Sequence, residues 1–193
     1  AYPALMAGGY LLFSWLVKTG SPMLFSAYLT VFVSVIGIVL HETFAPDREE
    51  WRPNAHDLLS DGVFLTVIQI GLPALMKVLA LMLIVKLAQS NEAPFHAFWP
   101  GNAPLLAQVM LMMLVAEFFR YWLHRTLHRN KTMWKLHAVH HAAEKLYTIN
   151  VGRFHPFDKA LQFLGDTLPF LLLGVSAEVF AVYFVVYAVN GFY

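Results

Sequence analysis

An all-α integral membrane bundle is the fold this sequence predicts: about three full spans, a C-terminal helical hairpin, and a histidine-rich helical region on the cytoplasmic side. Three observations predict it. Apolar residues make up 59% of the chain and charged residues only 13%, with a mean hydropathy of +0.58, far from the usage of soluble domains. Several long stretches lack charge almost entirely and reach the roughly 20 residues that cross a bilayer core. Five of the nine histidines fall between His124 and His141, directly after one of those stretches and at helical spacings.

Taken in order, Ala4–Val17 is apolar but short, which predicts a partial or interfacial helix. It has no basic leader, so no signal peptide is expected. Residues 19–40 carry no charged side chain and predict the first span. From His41 to Asp61 the chain is polar, broken by Pro46 and Pro53, with six acids against two arginines; a loop is expected there. Val63–Val85 predicts the second span, kinked near Gly71 and Pro73, with Lys77 its only charge. Lys86–Asn102 reads as a connecting loop with turns at Pro94 and Pro100–Gly101. Leu105–Leu123 predicts the third span and runs straight into His124. Arg129–Asn130 is expected to turn the chain, with Thr132 capping a second histidine-bearing helix from Met133 to about Lys145. Ala160–Tyr193 is apolar again. Asp166, Pro169 and Gly174–Ser176 divide it into two pieces of about fifteen residues, better suited to a helical hairpin than to two spans. Residues 1–61 are therefore read as N-terminal membrane segments with a loop, and 62–193 as a histidine-rich membrane domain.

Charge sets the expected orientation. Eight of the thirteen Lys and Arg lie between Arg120 and Lys159, against two acids, Glu144 and Asp158. The positive-inside tendency puts that block, and the histidines within it, on the cytoplasmic side. No nucleic-acid partner is expected. The absence of cysteine removes disulfides and thiolate ligands, so any metal must be held by nitrogen and oxygen. The five tryptophans mostly fall near span ends, where indoles are enriched. His41, His56 and His96 are isolated and read as loop or interfacial residues.

The histidines carry the chemistry. His124 and His128 form an H-x-x-x-H pair; His137, His140 and His141 form an H-x-x-H-H triplet. Residues three and four apart share a helical face, so each group can aim several imidazoles at one place, and imidazole suits iron, zinc, copper and nickel. Glu117, Tyr121, His124 and His128 lie within an arc of about 60° on one helix. A carboxylate at the end of an uncharged span is a functional candidate; its expected role is to bind or orient the metal site, with pairing to Arg120 or Arg125 as the alternative. Asn150, Arg153 and His155 follow in the segment TINVGRFHP and are candidates for supporting contacts, with His155 otherwise a loop residue. The zinc-protease signature needs Glu after the first histidine, and Arg125 stands there. Structural zinc closes with four ligands, and haem needs only one or two axial histidines. Five histidines in one patch suit redox iron better, as two ions or as one ion with a supporting shell.

The strings YWLHRTLH (121–128) and MWKLHAVHH (133–141), followed by Asn150 and RFHP, resemble the fatty acid hydroxylase / sterol desaturase superfamily over roughly residues 60–193. That resemblance implies a membrane-bound non-haem di-iron oxygenase with two irons, O2 as co-substrate and two electrons from an external donor. Its substrate would be a lipid in the bilayer (fatty acyl, sterol, carotenoid or alkyl-lipid), hydroxylated or desaturated. It assigns His124 and His128 to the first histidine box and His137, His140 and His141 to the second, with Glu117 fitting the acidic position ahead of them. The family's third box has no counterpart here, so the chain is expected to be incomplete at its C-terminus. A non-catalytic membrane metal- or haem-binding protein using the same histidines is the alternative.

Overall fold

The computed structural model describes residues 2–89 and 98–191; the expected turn at Pro94 and the isolated His96 lie outside the described residues. Helices α1 (Tyr2–Lys18), α2 (Met23–Phe44), α3 (Ala55–Val63), α4 (Leu72–Gln89), α5 (Leu105–Arg129), α6 (Lys131–His141), α7 (Pro156–Asp166), α8 (Leu168–Leu172) and α9 (Ala177–Gly191) follow one another, with no strand among the described residues. A π-helical segment, Phe64–Gly71, joins α3 to α4 without a break. Among the described residues, three helices are long and apolar enough to cross a membrane: Met23–Phe44, Ala55–Gln89 and Leu105–Arg129, with Ala177–Asn190 a shorter apolar helix.

Two compact units divide the chain. One comprises Ala1–Arg52 with Ser176–Tyr193, the other Pro53–Val175. In the first, α2 turns a face of small polar residues inward, with Ser26, Thr30 and Ser34 at four-residue intervals and all buried. Small side chains let apolar helices approach closely, and Gly9 of α1 meets that face: a Cβ there would lie 2.9 Å from Ser34 Oγ. Ala181, Val185 and Val189 of α9 complete this core with Ala27.

The second unit corrects several sequence expectations. The polar stretch before the second span is not all loop. Asn54 accepts from the Asp57 amide at 2.8 Å while Asp57 accepts from the Asn54 amide at 3.1 Å, a reciprocal cap that starts the helix at Ala55. His56 therefore lies on a helix, as does His41 in the last turn of α2. The resulting helix of 35 residues is about 52 Å long, well beyond the roughly 30 Å of a bilayer core, so its first turns can carry charge. Where a kink is expected, near Gly71 and Pro73, the helix carries the π segment. Pro73 cannot donate a backbone hydrogen bond, and the widened turn lies immediately before it. The apolar C-terminal stretch also breaks where expected. Pro169 stands in the first turn of α8, and Gly174 takes a positive φ of 68°, the region glycine enters most readily. Its pieces have their own partners: α7 packs on α5 and α4, and α9 on α2 and α1.

The α5–α7 crossing depends on a missing side chain. A Cβ at Gly165 would fall 1.8 Å from the Phe119 ring, while the neighbouring Arg120 donates to Asp166 from both Nε (3.0 Å) and Nη2 (2.9 Å). Overpacking in such a contact costs about 1–3 kcal/mol, occasionally more. Gly165→Ala is expected to lower the melting temperature of the purified protein by several degrees; an unchanged melting curve would show that this crossing yields freely.

Candidate metal centre

The histidine groups are brought together by one sharp corner. The apolar run of α5 carries His124 and His128 in its last two turns, on one face. Asn130 ends that helix in an extended conformation and caps the next, its Oδ1 accepting from the amides of Thr132 at 2.9 Å and Met133 at 3.1 Å. The cap is thus Asn130 rather than Thr132, and α6 begins at Lys131 and ends at His141, shorter than the sequence suggests. With one residue between them, α5 and α6 fold back so that their imidazoles meet.

Four of the five predicted ligands converge. His124, His128, His137 and His141 each place a ring nitrogen within 4.8 Å of all the others. Within this group three Nε2 atoms form a triangle, with His141 at 3.1 Å from His128 and 3.2 Å from His137. Two nitrogens each about 2.1 Å from one ion, at angles of roughly 90–110°, stand about 3.0–3.4 Å apart. The side chains present therefore fit a nitrogen-bound metal ion. Burial, then the neighbouring His137 and His128, holds the His141 imidazole below its ordinary pKa, so it is neutral at pH 7 and its lone pair is free to ligate.

The buried member of the cluster is oriented from behind. His137 is 1% exposed, and its Nδ1 lies 2.7 Å from Oδ2 of Asp158, itself fully buried. With the carboxylate accepting from Nδ1–H, the Nε2 lone pair of His137 faces the cluster, the arrangement that carboxylates commonly impose on metal-ligating histidines. Asp158 stands in the first turn of α7, where a negative charge is favoured, and its other oxygen accepts from Gln162 Nε2 at 3.0 Å. The sequence reading missed Asp158. The available signal was an acid among eight cations, just after His155–Pro156 at a helix start.

His140 lies outside the group of four. Its ring stacks on Phe154 at 4.3 Å and 13°, while burial and then His137 and His141 hold its pKa down. Its Nδ1 is buried without a hydrogen-bond partner among the described residues. The four candidates for supporting contacts are placed elsewhere. Glu117 binds Arg120 at 2.6 Å, the pairing the sequence left as the alternative. Asn150 accepts from the Tyr147 amide and donates to the Lys145 carbonyl, holding the loop after α6. Arg153 pairs with Asp61. His155 caps α7, its Nδ1 accepting from the Phe157 amide at 3.2 Å. Trp134, unremarked in the sequence beyond its interfacial character, stacks against His141 at 5.5 Å and 30°.

Comparison with known proteins agrees with this chemistry. Residues 109–193 match the family model described as Fatty acid hydroxylase. The chain is 32% identical over 159 residues to an ornithine lipid hydroxylase of Rhizobium tropici, covering 78% of this chain and 46% of that protein. It is 33% identical over 86 residues to a sphinganine C4-monooxygenase of Arabidopsis thaliana, covering 44% and 33%. It is 29% identical over 77 residues to a methylsterol monooxygenase of Aspergillus fumigatus, covering 40% and 26%. The chain thus spans less than half the length of each of these relatives. No solved structure matches it. With both histidine boxes in the matched region and the imidazoles gathered at one point, residues 109–193 carry a domain of the fatty acid hydroxylase superfamily.

Proposed function

We propose that the protein is a membrane-bound non-haem di-iron oxygenase that hydroxylates or desaturates a lipid with O2 and two electrons from an external donor. The observation that carries this reading is the convergence of His124, His128, His137 and His141, with His137 set by the buried Asp158. Iron held there would supply oxygen activation and the removal of hydrogen from a C–H bond. For hydroxylation the balance is R–H + O2 + 2 e⁻ + 2 H⁺ → R–OH + H2O.

This chain's own residues do the rest. The four histidines hold the metal through neutral imidazoles, and Asp158 fixes the His137 tautomer and increases its basicity. We assign His140 to the metal site as well: its Nδ1 is buried without a hydrogen-bond partner among the described residues, and an imidazole nitrogen is a common metal ligand. We assign the oxygenase domain to residues 62–193, and place its histidines on the cytoplasmic side, on the strength of the basic block around them. The three apolar helices support a bilayer setting and hence a lipid substrate. The relative matched over 78% of this chain is named an ornithine lipid hydroxylase, which makes an amino-acid-bearing membrane lipid the first substrate to try.

The test is reconstitution of the purified protein with ferrous iron and a chemical reductant in vesicles containing ornithine lipid. Mass spectrometry is expected to find one added oxygen atom in the lipid, dependent on O2 and lost in His137→Ala. Stoichiometric zinc with no iron uptake, or a Soret band, would favour the non-catalytic metal- or haem-binding alternative. Absence of any O2-dependent lipid product with iron bound would overturn the oxygenase.

A further inference from the structure

A membrane helix far from the histidines in sequence holds the loop that joins the two halves of their site. Asp61 of α3 is fully buried, and both its oxygens are taken by that loop: Tyr147 Oη donates to Oδ2 and Arg153 Nε to Oδ1. One turn earlier, Asp57 Oδ2 accepts from Lys145 Nζ at 2.5 Å. One turn later, Gly152 sits so close that a Cβ would lie 3.2 Å from the Leu65 Cα. A further turn on, Gln69 Nε2 donates to the Val151 carbonyl at 3.5 Å.

Asp57, Asp61, Leu65 and Gln69 recur at every fourth residue. In an unbroken α-helix each such step rotates by about 40°, which would carry the later contacts away from the loop. The π segment from Phe64 to Gly71 has i→i+5 hydrogen bonds and a wider turn, which reduces that drift. The bonds also perturb the loop groups themselves. Burial and the Asp61 carboxylate push the Tyr147 phenol above its ordinary pKa, and the hydrogen bond to Asp61 raises that of Arg153.

What the loop connects gives these contacts their significance. It leaves α6 directly after His141 and enters α7 two residues before Asp158. Its span therefore sets how far α7 stands from α6, and with it the 2.7 Å contact of Asp158 on His137 and the place of His141 in the cluster. A buried ion pair is an inefficient way to add stability, since hydrophobic replacements of similar volume often do as well, whereas it can specify one arrangement.

Resting on the metal-site reading above, we infer that Asp61, assisted by Asp57, is a positioning residue: it clamps the loop between α6 and α7 and so pre-organises the histidines for metal. The clamp acts through Tyr147, Arg153 and Lys145 and touches no metal itself.

Cobalt(II) is the probe, added to purified wild type, Asp61→Asn and Tyr147→Phe in detergent, with chelator competition, visible absorption and amide hydrogen exchange as readouts. Asp61→Asn is expected to weaken cobalt binding by roughly tenfold or more, in line with supporting contacts at other metal sites. It should also alter the visible band and speed exchange in residues 142–155, with exchange in α1 and α2 unchanged. Tyr147→Phe removes a single hydrogen bond, keeps the buried charge pair, and should shift all three readouts the same way by less; it decides the matter should Asp61→Asn fail to fold. Faster loop exchange with unchanged cobalt affinity and band would mean a merely structural contact and overturn the proposal. Equal exchange in every variant would do the same. Wild type that takes up no cobalt would overturn the metal-site reading, and this proposal with it.

Discussion

Replacing His141 with alanine is expected to abolish stoichiometric metal binding while leaving the fold intact. His141 is the shared vertex of the nitrogen triangle, 3.1 Å from His128 and 3.2 Å from His137; without it those two nitrogens lose their common neighbour. His141 is partly desolvated within the cluster but exposed as a residue, so the folded state loses little beyond its contacts with Trp134 and the neighbouring imidazoles, and exposed substitutions usually change stability by no more than about 0.5 kcal/mol. Metal analysis after iron loading, beside a melting curve, separates the two effects. His140→Ala is the informative control. Its ring stacks on Phe154 outside the group of four, so the four-histidine cluster should still take up metal, and any loss should be confined to a second ion. A His141→Ala protein that holds wild-type metal would show that the converging nitrogens are not the binding site.

Asp158→Asn is expected to weaken metal binding by about 10–100-fold, the usual consequence of losing a carboxylate behind a ligating histidine. The substitution keeps the size of the side chain and can still accept from His137 Nδ1. It removes the charge that makes His137 a better ligand, and it turns an amide NH2 toward either His137 or Gln162, both of which donate to the carboxylate. Competition with a graded chelator measures the change. Asp158→Ala should be worse for folding, because it strands a buried N–H on His137 at a cost of about 1–3 kcal/mol. Metal affinity unchanged in Asp158→Asn, with the protein folded, would reduce the Asp158–His137 bond to a packing contact.

Much of this molecule is legible in its sequence because apolar length and helical spacing are local properties. The runs at 19–40, 63–85 and 105–123 are long and poor enough in charge to be helices in any apolar setting; the last two lie within helices long enough to cross a membrane, and the first overlaps such a helix from Met23 onward. His124 and His128, four residues apart on such a helix, must share a face. Gly174 and Pro169 mark breaks wherever they occur. Helix starts were less legible. Asn54 and Asn130 act as caps through side chains whose acceptors become useful only once the following amides point at them, so the polar 53–61 reads as loop and Thr132 competes with Asn130 for the same role.

Contacts between distant segments were not legible at all. Asp158 lies 21 residues after His137 and Asp61 precedes Arg153 by 92; no periodicity links such pairs. For Glu117, helical spacing allowed the metal site, Arg120 or Arg125, and the ion pair formed, at 2.6 Å, is with Arg120. Likewise His140 shares its helix with His137 and His141, yet its ring turns to Phe154, a residue brought there by the loop before α7.

Residue order alone sets the class of protein: a chain too apolar and too poor in charge for water, without cysteine and with two histidine groups at the end of a span. Composition and spacing suffice for that, because hydrophobic transfer and helical geometry act residue by residue. Which imidazoles meet, which carboxylate stands behind them and which helix holds the loop between follow from the packing of distant segments. Those are matters of burial, where a charge such as that of Asp158 or Asp61 must find its partner wherever the packed chain brings one within hydrogen-bonding distance.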